Sequence, residues 1–372
     1  MCDGILKRSP FLHLIAPAGV IGISSIPVFG HLNREVIKKN ICTLCGACVA
    51  SCPVDSVEIT DETPKLTGIC VRCGMCYSAC PRTEDYVGNV EKTLFGRERE
   101  EGEAIGIFKE IYTARTLLDD VRKKCQDGGI VTTLLVYALE NGLIDAAVVS
   151  GRDPKEPWKP VPMVALTREE IINAAGTRYS VSPNVSALGM AVKEYFKSKV
   201  GFVGTPCQVL AVRKLQYHPA AATKIGERVA YVIGLFCMEN FSYAPFIKKF
   251  IGEEKGIPLS EVTKFSIEKG KFYVYKGDTI ALEMKVSELK NYARPACHVC
   301  PDLTAELADI SVGSIGSDRG WSTVVIRTDK GKELFEAAVE AKFIEAKKLS
   351  LEDKGVSLLM KIASEKRKRA KK

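Results

Sequence analysis

Apolar positions along the chain fall into three regimes. Residues 11–30 (FLHLIAPAGVIGISSIPVFG) form a long apolar run without helical period, interrupted by His13, Pro17, Pro27 and several glycines and serines. Such breaks argue against a membrane-spanning helix, which must satisfy its own backbone over about 20 residues. The run is expected to be an extended strand or arm packed on the body or on a partner. Beyond residue 100, amphipathic helices alternate with buried strands: helix Ile130–Asn141 closed by Gly142, strand Ile144–Ser150, helix Ala187–Lys197, strand Val200–Val203, helix Gln208–Gln216 and strand Arg228–Phe236. This alternation predicts a sheet with parallel stretches and helices on its faces. The segments Phe265–Ile267, Phe272–Tyr275 and Thr279–Val286, separated by Lys269–Gly270 and Lys276–Gly277–Asp278, have the pattern of a small antiparallel meander.

Between these regimes the chain is organised by cysteine. The 372 residues contain 14 cysteines, most of them in short C-x-x-C arrays. Disulfides require an oxidising compartment, and no signal-peptide pattern follows Met1–Cys2–Asp3, so the arrays read as metal ligands in a cytoplasmic setting. Cys42-x2-Cys45-x2-Cys48-x3-Cys52-Pro53 recurs as Cys70-x2-Cys73-x2-Cys76-x3-Cys80-Pro81. This is the two-cluster run of bacterial ferredoxins, in which each fourth cysteine serves the other cluster. One 4Fe–4S cluster is therefore expected on Cys42, Cys45, Cys48 and Cys80, the other on Cys70, Cys73, Cys76 and Cys52. Zinc takes paired C-x-x-C knuckles across a longer loop, which this stepping does not provide. Gly46 and Gly74 occupy matching positions where a side chain is expected to crowd the cluster. The fold class is then α+β to α/β: an N-terminal two-cluster ferredoxin module fused to a mixed α/β domain with a small antiparallel meander. The expected boundaries are an arm over 1–35, the module over 36–95, the larger domain over 100–350 and a basic helix or tail over 351–372.

Six cysteines lie outside the module. Cys207 and Cys237 each follow a strand, and Cys297 and Cys300 form a chelate loop. Strand ends of an open α/β sheet are where cofactors bind, so these four are expected to converge on a third 4Fe–4S cluster, with buried structural thiols as the alternative. His298 is expected to face solvent or support the loop, and Cys2 and Cys125 have no partner by spacing. The formal charge is +8, and six of the positives sit in the run Lys366–Lys372, read as a solvated, frayed helix end. No aromatic-basic stripe accompanies it, so nucleic-acid binding is not expected.

A chain of one-electron centres needs an electron source, and no nicotinamide or P-loop fingerprint is present. Two glycine-containing turns precede helices instead. Gln126–Asp127–Gly128–Gly129 leads into the helix from Ile130, where amides suit a pyrophosphate, with a helix-capping turn as the alternative. Gly176–Thr177–Arg178–Tyr179–Ser180 groups a guanidinium, hydroxyls and an aromatic ring.

The segments CQDGGIVTTLL, AAGTRYSVSPN, GFVGTPCQVLA, GLFCMENF, YARPACHVCPDLTAELADISVGSIG and GWSTVVIRT together resemble the beta-subunit family of coenzyme F420 hydrogenases and dehydrogenases. The fused ferredoxin module makes the likeness greatest to the electron-input subunit of F420H2 dehydrogenases. The resemblance implies FAD, a 4Fe–4S cluster and hydride exchange with the deazaflavin coenzyme F420, followed by electron transfer to other subunits of a redox complex. The arm and the basic tail lie outside the shared pattern and are candidate docking elements for such a complex, peripheral docking at a membrane included. It further implies that Gln126, Asp127, Gly128, Gly129 and Thr132, with Thr177, Arg178, Tyr179, Ser182 and Asn184, line the FAD. Lys269, Lys271 and Lys290 are candidates for a basic rim facing the anionic tail of F420. No acid–base triad is required. Other readings are a ferredoxin-linked reductase of another organic acceptor, the beta subunit of an F420-dependent hydrogenase or formate dehydrogenase, and a non-catalytic electron-transfer adaptor.

Overall fold

A computed structural model describes residues 26–371. Most of the expected apolar arm, and Cys2, lie outside these residues. From Phe29 the chain belongs to the cluster-bearing module rather than to an arm. Helix Phe29–Leu32 passes into a wider turn over Asn33–Ile37. Phe29, Leu32 and Val36, spaced to share one face, pack against Cys48, Cys52, Cys76, Cys80 and Val57. The module's hairpin pairs β1 (Val57–Thr60) with β2 (Thr63–Leu66) through a tight turn at Asp61–Glu62. Glu62 then accepts hydrogen bonds from the Tyr243 amide and Arg294, fastening this turn to the larger domain.

The larger domain is built on an eight-stranded mixed sheet. Its strands are β3 (Glu110–Thr116), β4 (Ala146–Arg152), β5 (Pro160–Ala165), β6 (Val200–Gly204) and β7 (Val229–Leu235), followed after the meander by three more. The meander is β8 (Lys264–Glu268), β9 (Lys271–Lys276) and β10 (Thr279–Lys285), antiparallel as expected. The last strands are β11 (Ile310–Gly313), β12 (Ser322–Ile326) and β13 (Ile344–Leu349). The order is β13-β3-β12-β11-β7-β6-β4-β5, with β11, β7, β6 and β4 mutually parallel and the outer strands antiparallel.

Alternation along the parallel strands sends residues to two cores. Val148, Phe202 and Val232 meet helices Asn184–Lys193 and Pro206–Tyr217 on one face. Val149, Val203 and Ile233 meet helices Ile130–Glu140 and Asp329–Glu340 on the other. Helix Asn184–Lys193 starts and ends earlier than its periodicity predicts, because Pro183 sets its start. No helix among the described residues is long and apolar enough to cross a membrane.

The C-terminal run departs from expectation. Instead of a solvated end, Lys354–Ala370 is a helix seated in the body, with Val356, Leu359 and Ala363 buried beside Ile105, Leu303 and Val325. Lys366 falls next on the same stripe and is 3% exposed.

The reason for Gly46 also differs from the one expected. Its φ of 90° is left-handed, and a Cβ there would stand 2.6 Å from the Pro183 carbonyl oxygen and 2.7 Å from the Ser186 amide. The clash is with the larger domain, which seats the module against helix Asn184–Lys193. Gly46→Ala is therefore expected to cost at least about 2 kcal/mol, combining left-handed strain with displaced backbone. A lower melting temperature with the cysteine set intact is the reading to look for; an unchanged one would remove this account of the docking.

Candidate redox centre

Among the described residues every cysteine is a free thiol. Cys42, Cys45, Cys48 and Cys80 line one pocket, together with Thr43, Leu44 and Gly46. Cys52, Cys70, Cys73 and Cys76 line a second, rimmed by Val54, Leu66 and Val71. No three His, Cys, Asp or Glu side chains among the described residues stand close enough to grip a single ion; the thiols surround spaces instead.

Short helical turns arrange each set. Gly46 and Gly74, both left-handed, open helices Ala47–Ala50 and Met75–Ser78, whose first turns carry Cys48 and Cys76. Backbone amides then point at sulfur: Leu44 N–H to Cys42 Sγ at 3.4 Å, Ser56 N–H to Cys52 Sγ at 3.3 Å and Arg82 N–H to Cys80 Sγ at 3.4 Å. Donors aimed at sulfur favour thiolates over thiols. Burial opposes ionisation. It pushes Cys45 and Cys48 far up, Cys76 to about 12 and Cys80 to about 11, with neighbouring thiolates adding to the rise. Four such groups do not ionise together without a compensating cation, the condition a metal site creates.

Cys207, Cys237, Cys297 and Cys300 also come together. Cys207 sits in the first turn of the helix after β6, and Cys237 follows β7, the adjacent parallel strand. Cys297 and Cys300 bracket the end of the short helix Pro295–His298, and Leu303 accepts the Cys237 amide. Burial pushes the Cys207, Cys237 and Cys297 thiols up, Cys297 to about 11, and Cys207, Cys297 and Cys300 each add to the rise of at least one other. Asn240 spans two of them, donating its backbone N–H to Cys297 Sγ at 3.4 Å and its side-chain amide to Cys237 Sγ at 3.5 Å. Thr205 Oγ1 lies 3.3 Å from Cys207 Sγ. His298 is exposed. Cys125 stands apart, its thiol donating to the Asp127 carbonyl.

This set adjoins the first cavity. Arg82, two residues after Cys80, donates to the Ala296 carbonyl at 2.7 Å, and Arg294 reaches the Cys42 carbonyl at 3.4 Å. Cys207 adds to the upward push on the Cys45 thiol. Electrostatic influence likewise links Cys48 to Cys76 and Cys76 to Cys52, so the three sets form a row.

The segment expected to line a flavin runs beside the row. Val185 N–H donates to the Cys45 carbonyl, Phe241 N–H to the Tyr179 carbonyl, and Gln208 to the Ser182 carbonyl at 2.5 Å. Arg178 spends one nitrogen on the Ala174 and Gly176 carbonyls. Its Nε and other terminal nitrogen are buried without partners, as are Ser150 Oγ, Ser180 Oγ, Ser182 Oγ and Asn184 Oδ1. Burial lowers the Arg178 guanidinium to about 10, with Arg152 adding to the fall. Buried polar atoms are normally bonded, so this concentration of unpartnered donors and acceptors fits a polar ligand.

The other expected residues are arranged less directly. Gly128 is held by packing: a Cβ there would stand 2.4 Å from the Ala114 carbonyl oxygen, and its N–H is already donated to Ser322 Oγ. Gln126 bonds the Phe265 carbonyl, Gly129 caps the helix that carries the buried Thr132, and Thr177 is half-buried. Burial raises the half-buried Asp127 carboxyl, against the pull of Lys264. Tyr179 OH accepts the Ile267 amide, and Lys271 pairs with Glu283.

Sequence reasoning missed Asn240, Arg82, Arg294 and three lysines. For Lys366 a signal existed: it continues the apolar stripe of its helix.

Comparison with known proteins follows the same division. The family described as "Coenzyme F420 hydrogenase/dehydrogenase, beta subunit" matches in its N-terminal part over residues 111–189 and its C-terminal part over 197–352. A 4Fe–4S dicluster domain matches over 34–81. The coenzyme F420 hydrogenase subunit beta of Methanothermobacter thermautotrophicus is 44% identical over 72% of this chain and 94% of its own length. A subunit of the F420H2 dehydrogenase of Methanosarcina mazei is 31% identical over 88% of this chain and 91% of its own. Among solved structures, a chain of the F420-reducing NiFe hydrogenase complex from Methanosarcina barkeri matches with a TM-score of 0.69 and 42% identity, over 73% of this chain and 93% of that one.

Proposed function

Because the chain belongs to the coenzyme F420 hydrogenase/dehydrogenase beta-subunit family and carries a 4Fe–4S dicluster domain, we propose that it oxidises F420H2 by hydride transfer to FAD and passes electrons singly through three 4Fe–4S clusters to a partner complex. The observation that carries this reading is the strip of unpartnered buried polar groups from Arg178 to Asn184, set against the thiol quartet of Cys207, Cys237, Cys297 and Cys300. A bound flavin supplies the conversion between a hydride's two electrons and the single electrons of iron–sulfur clusters.

The chain's own residues bind and orient. The free nitrogens of Arg178 meet anionic or carbonyl oxygen, Ser180 and Ser182 donate, and Asn184 Oδ1 accepts. The Gln208 bond to Ser182 and the Asn184 bond to the Val203 carbonyl fix this strip on the ends of β6 and its following helix. The inner ligand quartets are Cys207, Cys237, Cys297, Cys300 and then Cys42, Cys45, Cys48, Cys80; the outer is Cys52, Cys70, Cys73, Cys76. The exposed Cys73, with Val54, Val71 and Ile69 exposed near it, suits contact with an electron acceptor. A cytoplasmic setting suits thiolate-borne clusters.

The 44% identity to a hydrogenase beta subunit favours a second reading, in which the same row runs toward reduction of F420. Anaerobic mixing of flavin- and cluster-replete protein with F420H2 and benzyl viologen tests the exchange itself. Dye reduction is expected; its absence in a fully loaded sample would overturn the proposal.

A further inference from the structure

Each of the three thiol quartets has a lysine ammonium on the carbonyl oxygen of one of its cysteines. Lys193 Nζ donates to the Cys52 carbonyl at 2.6 Å, and Lys214 Nζ to the Cys80 carbonyl at 2.9 Å. Lys366 Nζ donates to the Cys237 carbonyl and, at 2.7 Å, to the Asp302 carbonyl. The three come from separate helices, Asn184–Lys193, Pro206–Tyr217 and Lys354–Ala370.

Their surroundings differ in a graded way. Lys193 is partly exposed and paired with Asp55 at 2.8 Å. Lys214 is 0% and Lys366 3% exposed, and their hydrogen bonds go only to carbonyl oxygens. A carbonyl is satisfied by a neutral donor. A buried ammonium carries a desolvation penalty of several kcal/mol that dipoles alone do not offset. Its counter-charge must lie nearby: beside Lys214 stand the Cys80 thiol and the Glu84 and Asp85 carboxylates, and beside Lys366 the Cys300, Cys237 and Cys297 thiols with the Asp302 carboxyl among them.

We infer that Lys214 and Lys366 are positioning residues that raise the reduction potentials of the two inner clusters, while Lys193 leaves the outer one nearly unassisted. The inference rests on the three-cluster reading above. A cubane with four thiolates is an anion whose negative charge grows by one on reduction, so a fixed cation favours the reduced form. The attraction is strong where water is excluded and weak where solvent and Asp55 screen it. The inner clusters, beside the proposed flavin strip, are then the easier to reduce and draw electrons away from it.

The experiment is an anaerobic redox titration followed by electron paramagnetic resonance, on full-length cluster-replete protein. Lys366→Met and Lys214→Met are each expected to shift one inner-cluster signal, a different one in each variant, to lower potential. Lys193→Met is expected to move the outer signal much less, and Lys214→Arg and Lys366→Arg to restore most of the shift by restoring the charge. Unmoved midpoints with full iron, or arginine variants shifted as far as methionine ones, would overturn the inference. Should a methionine variant lose its cluster, the arginine variant decides: a near-native midpoint supports the charge role, a shifted one refutes it. Iron content separates the two readings, since a wild type with about eight iron atoms per chain rather than about twelve removes the third cluster but leaves the Lys214 test intact.

Discussion

Replacing Cys237 by serine is expected to lower the iron bound per chain from about twelve atoms to about eight and to cut F420H2-driven dye reduction by more than about 100-fold. Serine is nearly the same size but offers a hydroxyl that does not ionise under these conditions. The site is otherwise well supported: the Cys237 amide bonds Leu303, its carbonyl holds Lys366, and its sulfur receives Asn240. The fold around the missing ligand should therefore persist, with the dicluster module retained. Loss of even an outer-shell partner at a metal site costs about 10–100-fold, and loss of a ligand in a serial row costs more. Under the proposed function, F420H2 bleaching of a flavin in the variant should survive, because in that reading the step precedes the row. Iron analysis and the two kinetic readouts check it, and a variant retaining about twelve iron atoms with undiminished dye reduction would eliminate Cys237 as a ligand.

The largest stability effect is expected at Arg213. Its guanidinium, 0% exposed, donates to Asp309 Oδ1 at 2.9 Å, to the Leu307 carbonyl at 2.8 Å and to Gln216 at 2.6 Å. Asp309 also accepts from the Val232 amide and Thr328, and Lys330 lies 3.2 Å away. These bonds join the helix after β6, whose first turn carries Cys207, to β7, which leads into Cys237, and to β11. Arg213→Met strands a buried carboxylate and is expected to cost about 3–5 kcal/mol. At this chain length that is a fall in melting temperature of roughly 4–6 °C. Adding Asp309→Asn should recover part of it, because the stranded charge is gone.

The pH dependence has a definite sign. Burial raises the Asp309 carboxyl, but Arg213 and Lys330 outweigh it and hold its pKa below the ordinary 3.8. A depressed carboxylate contributes stability that is fully present above its unfolded pKa and is lost as pH falls through the folded one. The difference between wild type and Arg213→Met should therefore be full above about pH 4 and shrink in stronger acid. Melting curves followed by far-ultraviolet circular dichroism across that range measure it; a pH-independent difference would assign the loss to packing alone.

How much of this was legible depends on the range of the signal. The grouping of cysteines within each array, the meander and the alternation of helix and strand follow from local rules, because spacing of a few residues fixes which side chains share a loop or face. The dicluster module and the mixed α/β class were therefore readable. Helix ends shifted where a single residue, Pro183, overrode periodicity. Gly46 was recognised as special for the wrong neighbour: its crowding comes from residues 183–186, which local reading does not bring near.

Two repeating four-cysteine runs, and a chain able to build a helix-covered sheet, are written in the order of residues alone. What stands beside them depends on the folded arrangement. The parallel order β11-β7-β6-β4 sets the ends of β6 and β7 side by side, so Cys207 and Cys237, thirty residues apart, meet the Cys297–Cys300 loop. It also folds Lys366 out of a seemingly solvated basic run and against the Cys237 carbonyl. The physical reason is that chain geometry fixes distances within a loop, whereas distances between segments follow from which apolar faces find each other. A lysine on an apolar stripe reveals its charge's partner only once that face is buried.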